Sequence, residues 1–329
     1  MEVATRLLWP DWRNFNASRF MQIVDVPGLG TTVIGRPNFN GTFSNNNGDF
    51  RTNIKINAYG HREPVPVDAA DGRVWIVGDS FSFGWGVEFA DTYAAQLGQL
   101  TRYKTYNIAN PGTNVCGYQA AIARMPTTVK PAALIVGLTM ENDLSNRSCA
   151  TQREQSAKAA ELNKHSEPVH SFFGVKAWLR NHIALYNFAV LNLKKSELVR
   201  EVFVATGIMA DINQDISSNN EGLALNALMQ TANGIQYITT LLPTDVPLIV
   251  LIIPPRLEII GRDTDILHER RVVIQKLLNE RGIATVDPFQ ALSDAGFEKV
   301  HFANDGHWTP AGHMIAAKAL APALMSAVK

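Results

Sequence analysis

Five short apolar runs, each separated from the next by a longer amphipathic stretch, constrain this chain more than any other feature. They are RVWIVG from Arg73, TYNIAN from Thr105, AALIVGL from Ala132, PLIVLIIP from Pro247 and GIATVD from Gly282. A strand that is apolar at consecutive positions must be covered on both faces, and intervening helices supply that cover. The pattern therefore predicts an α/β fold, a three-layer α/β/α domain around a central parallel sheet of about five strands. The stretch before the fourth run carries Leu223, Leu225, Leu228, Ile235 and Ile238 at helical spacing and reads as the helix that feeds that strand.

Two regions fall outside this alternation. Residues 1–70 are rich in Asn and Gly, as in RPNFNGTFSNNNGDFRTNIKIN, and read as an irregular N-terminal segment of turns and short strands packing on a main domain of residues 71–329. Residues from about 146 to 217 are charged and helical in pattern, and read as a helical insertion on the C-terminal side of the sheet. Lys plus Arg and Asp plus Glu both number 30, so the net charge is zero and no long-range field gathers nucleic acid. The longest apolar run, VPLIVLIIPP from Val246, is half the roughly 20 residues needed to span a bilayer. The opening MEVATRLLWP is no signal peptide; it suits a cytoplasmic chain, or one whose export signal or membrane anchor is missing from its start.

In open α/β sheets, ligands bind beyond the carboxyl ends of the strands. The polar residues there are Asp79 and Ser80 after the first run, Asn110 to Asn114 after the second, Glu141, Asn142 and Asp143 after the third, Arg256 after the fourth and Asp287 after the fifth. Near the C-terminus ANDGHWTPAGH sets Asp305 and His307 just before a helix that Thr309 caps and Pro310 begins. A serine nucleophile needs a base, and the base needs a carboxylate to hold its tautomer. Ser80, His307 and Asp305 supply all three, while the amides of Ser80 and Gly112 and the carboxamide of Asn142 supply oxyanion donors. Asp287 competes with Asp305 for the acid. A metal site of His301, Asp305, His307 and His313 is the other sharp reading, and it leaves Ser80 and Asn142 without a role. Arg62 and Arg256 read as ordinary surface residues, with lining of the cleft as the alternative.

The blocks GDSFSFG, NIANPGTN, TMEND and DGHWTPAGH, in that order, resemble those of the SGNH, or GDSL-like, hydrolases. The resemblance runs from about Asn57 to Leu324, because INAYGHRE is similar to the Asn-x-x-Gly-x-Arg lead-in of exported or membrane-associated bacterial members. It implies the flavodoxin-like SGNH hydrolase fold, Ser80 as nucleophile, His307 as base, Asp305 as acid, an oxyanion hole of Ser80, Gly112 and Asn142, ester chemistry, and neither cofactor nor metal. Two departures stand out. Only Gly306 separates acid from base where most members have two residues, which resembles the branch of alginate O-acetyltransferases and moves weight from hydrolysis to acyl transfer. Glu141 stands where a glycine is usual and narrows the site.

Asp79, Trp85, Glu141 and Trp308 are the candidate substrate-binding residues. Phe81, Phe83, Trp85 and Trp308 are either stacking platforms for sugar rings or core. Cys116 and Cys149 fall in neighbouring strand-end loops, where they either form a disulfide that staples both loops, which requires an oxidising compartment, or stay free. The expected substrate is a small-molecule or carbohydrate ester, with acetylated carbohydrate favoured, and no nucleic acid. The expected location is periplasmic or otherwise extracytoplasmic, with cytoplasmic as the alternative, and the expected partners are those of a polysaccharide assembly system. The rival from another class is a non-catalytic carbohydrate-binding or assembly protein on the same fold.

Overall fold

The computed structural model describes residues 1–45, 48–155, 178–179, 182–195 and 224–328. The chain opens with helix α1 (Glu2–Leu8) and two antiparallel hairpins, β1 (Met21–Val26) with β2 (Gly30–Gly35), and β3 (Asn40–Ser44) with β4 (Arg51–Lys55). The segment read as irregular is thus partly built of paired strands. In β4 the alternation is visible, since Thr52 and Ile54 are buried while Arg51, Asn53 and Lys55 face solvent.

The five apolar runs form the central sheet as β5 (Val74–Gly78), β6 (Thr105–Asn107), β7 (Ala133–Thr139), β8 (Leu248–Ile253) and β9 (Ala284–Val286), all parallel. Their order across the sheet is β6-β5-β7-β8-β9. Chain direction across the sheet reverses between β5 and β7, the topological switch point at which such sheets open a crevice. Every residue of β5, β7 and β8 is buried, and each large aliphatic side chain so placed contributes roughly 1.5–3 kcal/mol.

Helices cover both faces. After β5 come the single turn α2 (Ser80–Phe83) and α3 (Tyr93–Thr101); α4 (Val115–Ala123) follows β6; α5 (Ala184–Lys195) and α6 (Ala224–Thr239) precede β8; then come α7 (Arg256–Ile259), α8 (Thr264–Asn279), α9 (Phe289–Ala295), α10 (Phe297–Val300) and α11 (Pro310–Ala327). One core packs Trp75, Val136 and Val250 of the sheet on residues of α4, α6 and α8; the other packs Ile76, Ile135 and Leu251 on α3 and α11. A third cluster, with Phe20, Phe43, Phe50 and Ile54, joins the hairpins to Phe83 of α2. The expected helical insertion at about 146–217 lies largely outside the described residues; α5 within it packs on α1, with Glu2 accepting from the Ala184 and Leu185 N–H groups. Among the described residues no helix is long and apolar enough to cross a membrane.

Candidate active site

Ser80 stands where β5 ends and a tight turn begins. A side chain on Gly78 would collide with Ser82, so only glycine permits the close approach of this turn to its own strand. Asp79 caps the turn, its carboxylate accepting from the Phe81 N–H at 3.0 Å. From below, the buried Arg62 guanidinium donates to the carbonyls of Gly84 at 2.5 Å and Val87 at 2.6 Å. Burial lowers the Arg62 pKa to about 10, which still leaves it charged at neutral pH. The expectation that Arg62 is a surface residue is therefore corrected: those carbonyls take the place of water around the guanidinium.

His307 reaches Ser80 from near the other end of the chain. Trp308, with no exposed surface, anchors the following residue in the core, and the Phe302 N–H donates to the His307 carbonyl at 2.9 Å to close the loop. Gly306 adopts φ +81°, a left-handed conformation natural to glycine, and the turn brings its two neighbours together. His307 Nδ1 is hydrogen-bonded to Asp305 Oδ1, and His307 Nε2 lies 2.7 Å from Ser80 Oγ. An ionised carboxylate only accepts, so Nδ1 carries the proton and Nε2 offers its lone pair to the Ser80 hydroxyl.

Asn142 follows β7 and is exposed, yet its amide is held: Nδ2 donates to Asp79 Oδ2 at 2.8 Å. Asp143 makes the turn beneath it, accepting from the Thr139 N–H at 2.7 Å and from the Tyr118 hydroxyl at 2.8 Å. Burial raises the pKa of both Asp79 and Asp143, and the Asp79 charge pushes Asp143 further up. The N–H groups of Ser80 and Gly112 donate to no acceptor among the described residues. Gly112 and Asn142 line a cleft of about 420 Å³ whose opposite wall is the β1–β2 hairpin, including Ile23, Thr31 and Thr32, with Gln152 and Arg153 at one side. That volume is in the range of small-molecule sites.

Several candidates fall elsewhere. Asp79 and Trp308 have no exposed surface, so neither touches a substrate; the first is a cap and a clamp, the second a core anchor. Phe81 and Phe83 are likewise core. Glu141 turns away from Asn142 and accepts from the Arg256 N–H at 2.7 Å. Of the aromatic candidates Trp85 alone keeps partial exposure, tilted against His307 at 5.7 Å between ring centres. Asp287 is engaged by Arg271 and by Gln275, so it is not the acid beside His307. His301 and His313 are buried, and desolvation above all lowers each pKa to about 3. Among the described residues no three His, Cys, Asp or Glu side chains converge as a metal-binding set. Cys116 and Cys149 form a disulfide with Cα atoms 5.2 Å apart, tying the start of α4 to the segment after Asn142. Sequence reasoning missed Asn45, whose Nδ2 donates to Asp305 Oδ2 at 2.9 Å; nothing in its Asn-rich surroundings singles it out.

Residues 227–329, which include Asp305 and His307, match the family model described as "SGNH hydrolase-like domain, acetyltransferase AlgX". Those residues are similar to an SGNH hydrolase-like domain. No curated protein matches the sequence. Among solved structures, this chain is similar to a member of the lipolytic protein G-D-S-L family from Veillonella parvula, at 12% identity and a TM-score of 0.44, over 77% of this chain and 98% of that one. A putative G-D-S-L lipolytic protein from Desulfitobacterium hafniense gives 12% identity and 0.39, over 77% and 99%. A carbohydrate esterase family 2 enzyme with a carbohydrate-binding domain, from Corynascus (Myceliophthora fergusii), gives 12% and 0.42, over 80% and 68%.

Proposed function

We propose that this SGNH domain is a serine-dependent ester hydrolase or O-acyltransferase acting on O-acetyl groups of a carbohydrate. The observation that carries this reading is the alignment of Ser80 Oγ, the two ring nitrogens of His307 and Asp305 Oδ1 in one hydrogen-bonded line. His307 Nε2 takes the Ser80 proton as Oγ attacks the ester carbonyl, and Asp305 stabilises the imidazolium that results. The negative charge on the former carbonyl oxygen is met by the Ser80 and Gly112 N–H groups and by the Asn142 hydrogen not committed to Asp79. Collapse returns the proton from His307 to the leaving alcohol and leaves an acyl group on Ser80. A second hydroxyl, from water or a sugar, is deprotonated by His307 and removes that group. No step calls for a cofactor.

The cleft beside Gly112 and Asn142 supports a hydroxyl-rich substrate, because Thr31, Thr113, Asn114 and Gln152 line it without a carboxylate. Trp85, half-buried at His307, is the platform on which a sugar face would stack. The short Asp-Gly-His spacing and the acetyltransferase family of residues 227–329 favour transfer over hydrolysis. The disulfide favours an oxidising, extracytoplasmic compartment, where a polysaccharide assembly system would supply acyl donor and acceptor. The non-catalytic rival required an unassembled triad, and these side chains are within hydrogen-bonding distance.

The test is hydrolysis of a chromogenic acetyl ester by wild type and Ser80→Ala, with and without a sugar acceptor. A rate dependent on Ser80 is expected, together with acetylated sugar when acceptor is present; equal rates in the two proteins overturn the reading. Activity retained in excess chelator counts against the metal-dependent alternative.

A further inference from the structure

The Asp305–His307 loop, closed by the Phe302 N–H on the His307 carbonyl, is also held from outside. It hangs from β9 and α10 on one side and α11 on the other, and its only link between acid and base is the left-handed Gly306. Three residues of the β3–β4 hairpin grip it. Asn45 donates from Nδ2 to Asp305 Oδ2 at 2.9 Å; Asp49 accepts from the Asn304 N–H at 3.0 Å and from its Nδ2 at 2.9 Å; the Phe50 ring packs on Phe302 with centres 5.2 Å apart. The Asn45 N–H donates to the Phe50 carbonyl at 3.0 Å, so the backbone that carries the amide is set by the hairpin.

We propose that Asn45 is a positioning residue of the catalytic site, an inference that rests on reading Ser80, His307 and Asp305 as a triad. The torsion that turns a carboxylate about its own axis is broad. With Oδ1 on His307 and Oδ2 on the Asn45 amide, both oxygens are held and the carboxylate plane is set. The amide also stabilises the ionised carboxylate and so moderates its pull on the imidazolium. Asp49 and Phe50 place the loop; Asn45 sets the orientation and basicity of the acid within it. The charged or titratable groups that face this pair are Asp79 behind Ser80, His301 and His313 in the core, Arg62 behind His313, Arg256 against Gly306 with its partner Glu141, and Asp49 on Asn304.

The experiment measures kcat and KM against pH for the full chain carrying Asn45→Ala, Asn45→Ser or Asp49→Ala, with Ser80→Ala as the blank. Both Asn45 variants are expected to lose about 10-fold to 100-fold in kcat, with KM little changed. Their acidic limb of kcat/KM should move to higher pH, because a carboxylate that has lost a donor holds the imidazolium more tightly. Asp49→Ala should lower thermal stability and leave the limb where it is. Asn45 variants that fold with wild-type kcat, or that lose kcat with the limb unmoved, overturn the proposal while Ser80→Ala stays inert. Wild-type activity in Ser80→Ala overturns the triad itself.

Discussion

The Asn142 side-chain amide sits 2.8 Å from Asp79 Oδ2, a carboxylate with no exposed surface. The residue that caps the Ser80 turn therefore also aims the Asn142 amide, so the two halves of the candidate site share one anchor. In Asp79→Asn a single oxygen must serve two donors, the Phe81 N–H and the Asn142 amide. The expected result is a fall of roughly 10-fold to 100-fold in kcat with little change in KM, against a loss of about 100-fold or more for Asn142→Ala. Steady-state kinetics on folded variants checks both, and an Asn142→Ala enzyme with undiminished kcat removes Asn142 from the oxyanion hole.

Gly306→Ala forces a side chain into a left-handed backbone and against the Arg256 guanidinium. The backbone alone costs about 1–2 kcal/mol, and the strain is relieved most readily by moving Asp305 away from His307. Activity should fall at least tenfold while the melting temperature drops by only a few degrees. A Gly306→Ala/Arg256→Ala double variant should recover stability before activity; the opposite order would show that Arg256, not the backbone, is the constraint.

The Cys116–Cys149 bridge spans 33 residues, and in the chain-entropy model closing a loop of that length stabilises by roughly 3–4 kcal/mol. Reduction, or Cys116→Ser/Cys149→Ser, should lower the melting temperature clearly. It should also loosen the segment that follows Asn142, raising KM for substrates that fill the cleft more than for a small acetyl ester. Thermal denaturation with and without reductant checks the first effect and paired kinetics the second.

Glu63 predicts how stability depends on pH. It is buried, accepts from the Asn107 N–H at 2.6 Å, and burial raises its pKa from 4.5 to about 8. The unfolded chain releases this proton near pH 4.5 and the folded chain near pH 8, so between those values the folded state holds more protons. Its contribution is complete below pH 4.5 and is lost as pH rises through about 8. Glu63→Gln keeps an acceptor for Asn107 and does not titrate. Its advantage over wild type should grow across that window to the order of a few kcal/mol and vanish at pH 4, as read by denaturant melts at several pH values.

The sheet was legible because β5, β7 and β8 are apolar at consecutive positions, a pattern that a two-sided core alone explains. Ser80, Gly112, Asn142, Asp305 and His307 were legible because each follows a strand or precedes a helix on the same side of that sheet. Short strands were expected before residue 70, but their pairing into hairpins was hidden: β3 and β4 are five residues each in an Asn- and Gly-rich setting, where two buried residues in β4 make a weak alternation. Asn45 was hidden for a different reason, since a polar contact across 260 positions leaves no periodicity. Arg62 misled because charge reads as surface, and Asp79 because a carboxylate at a strand end reads as a substrate contact; only the fold reveals the carbonyls and amides that replace water around them. Trp308 misled because an aromatic next to a catalytic-looking histidine suits a platform as well as a peg.

The grip of Asn45 on Asp305 also orders events in time. At about 5–20 residues per second of synthesis, the 260 positions between them mean that the hairpin leaves the ribosome roughly 13–50 s before the loop it must hold. Until then the nascent protein carries Ser80 without His307 and Asp305. The hydrogen-bonded line of Ser80, His307 and Asp305 therefore closes only when the C-terminal part of the chain arrives.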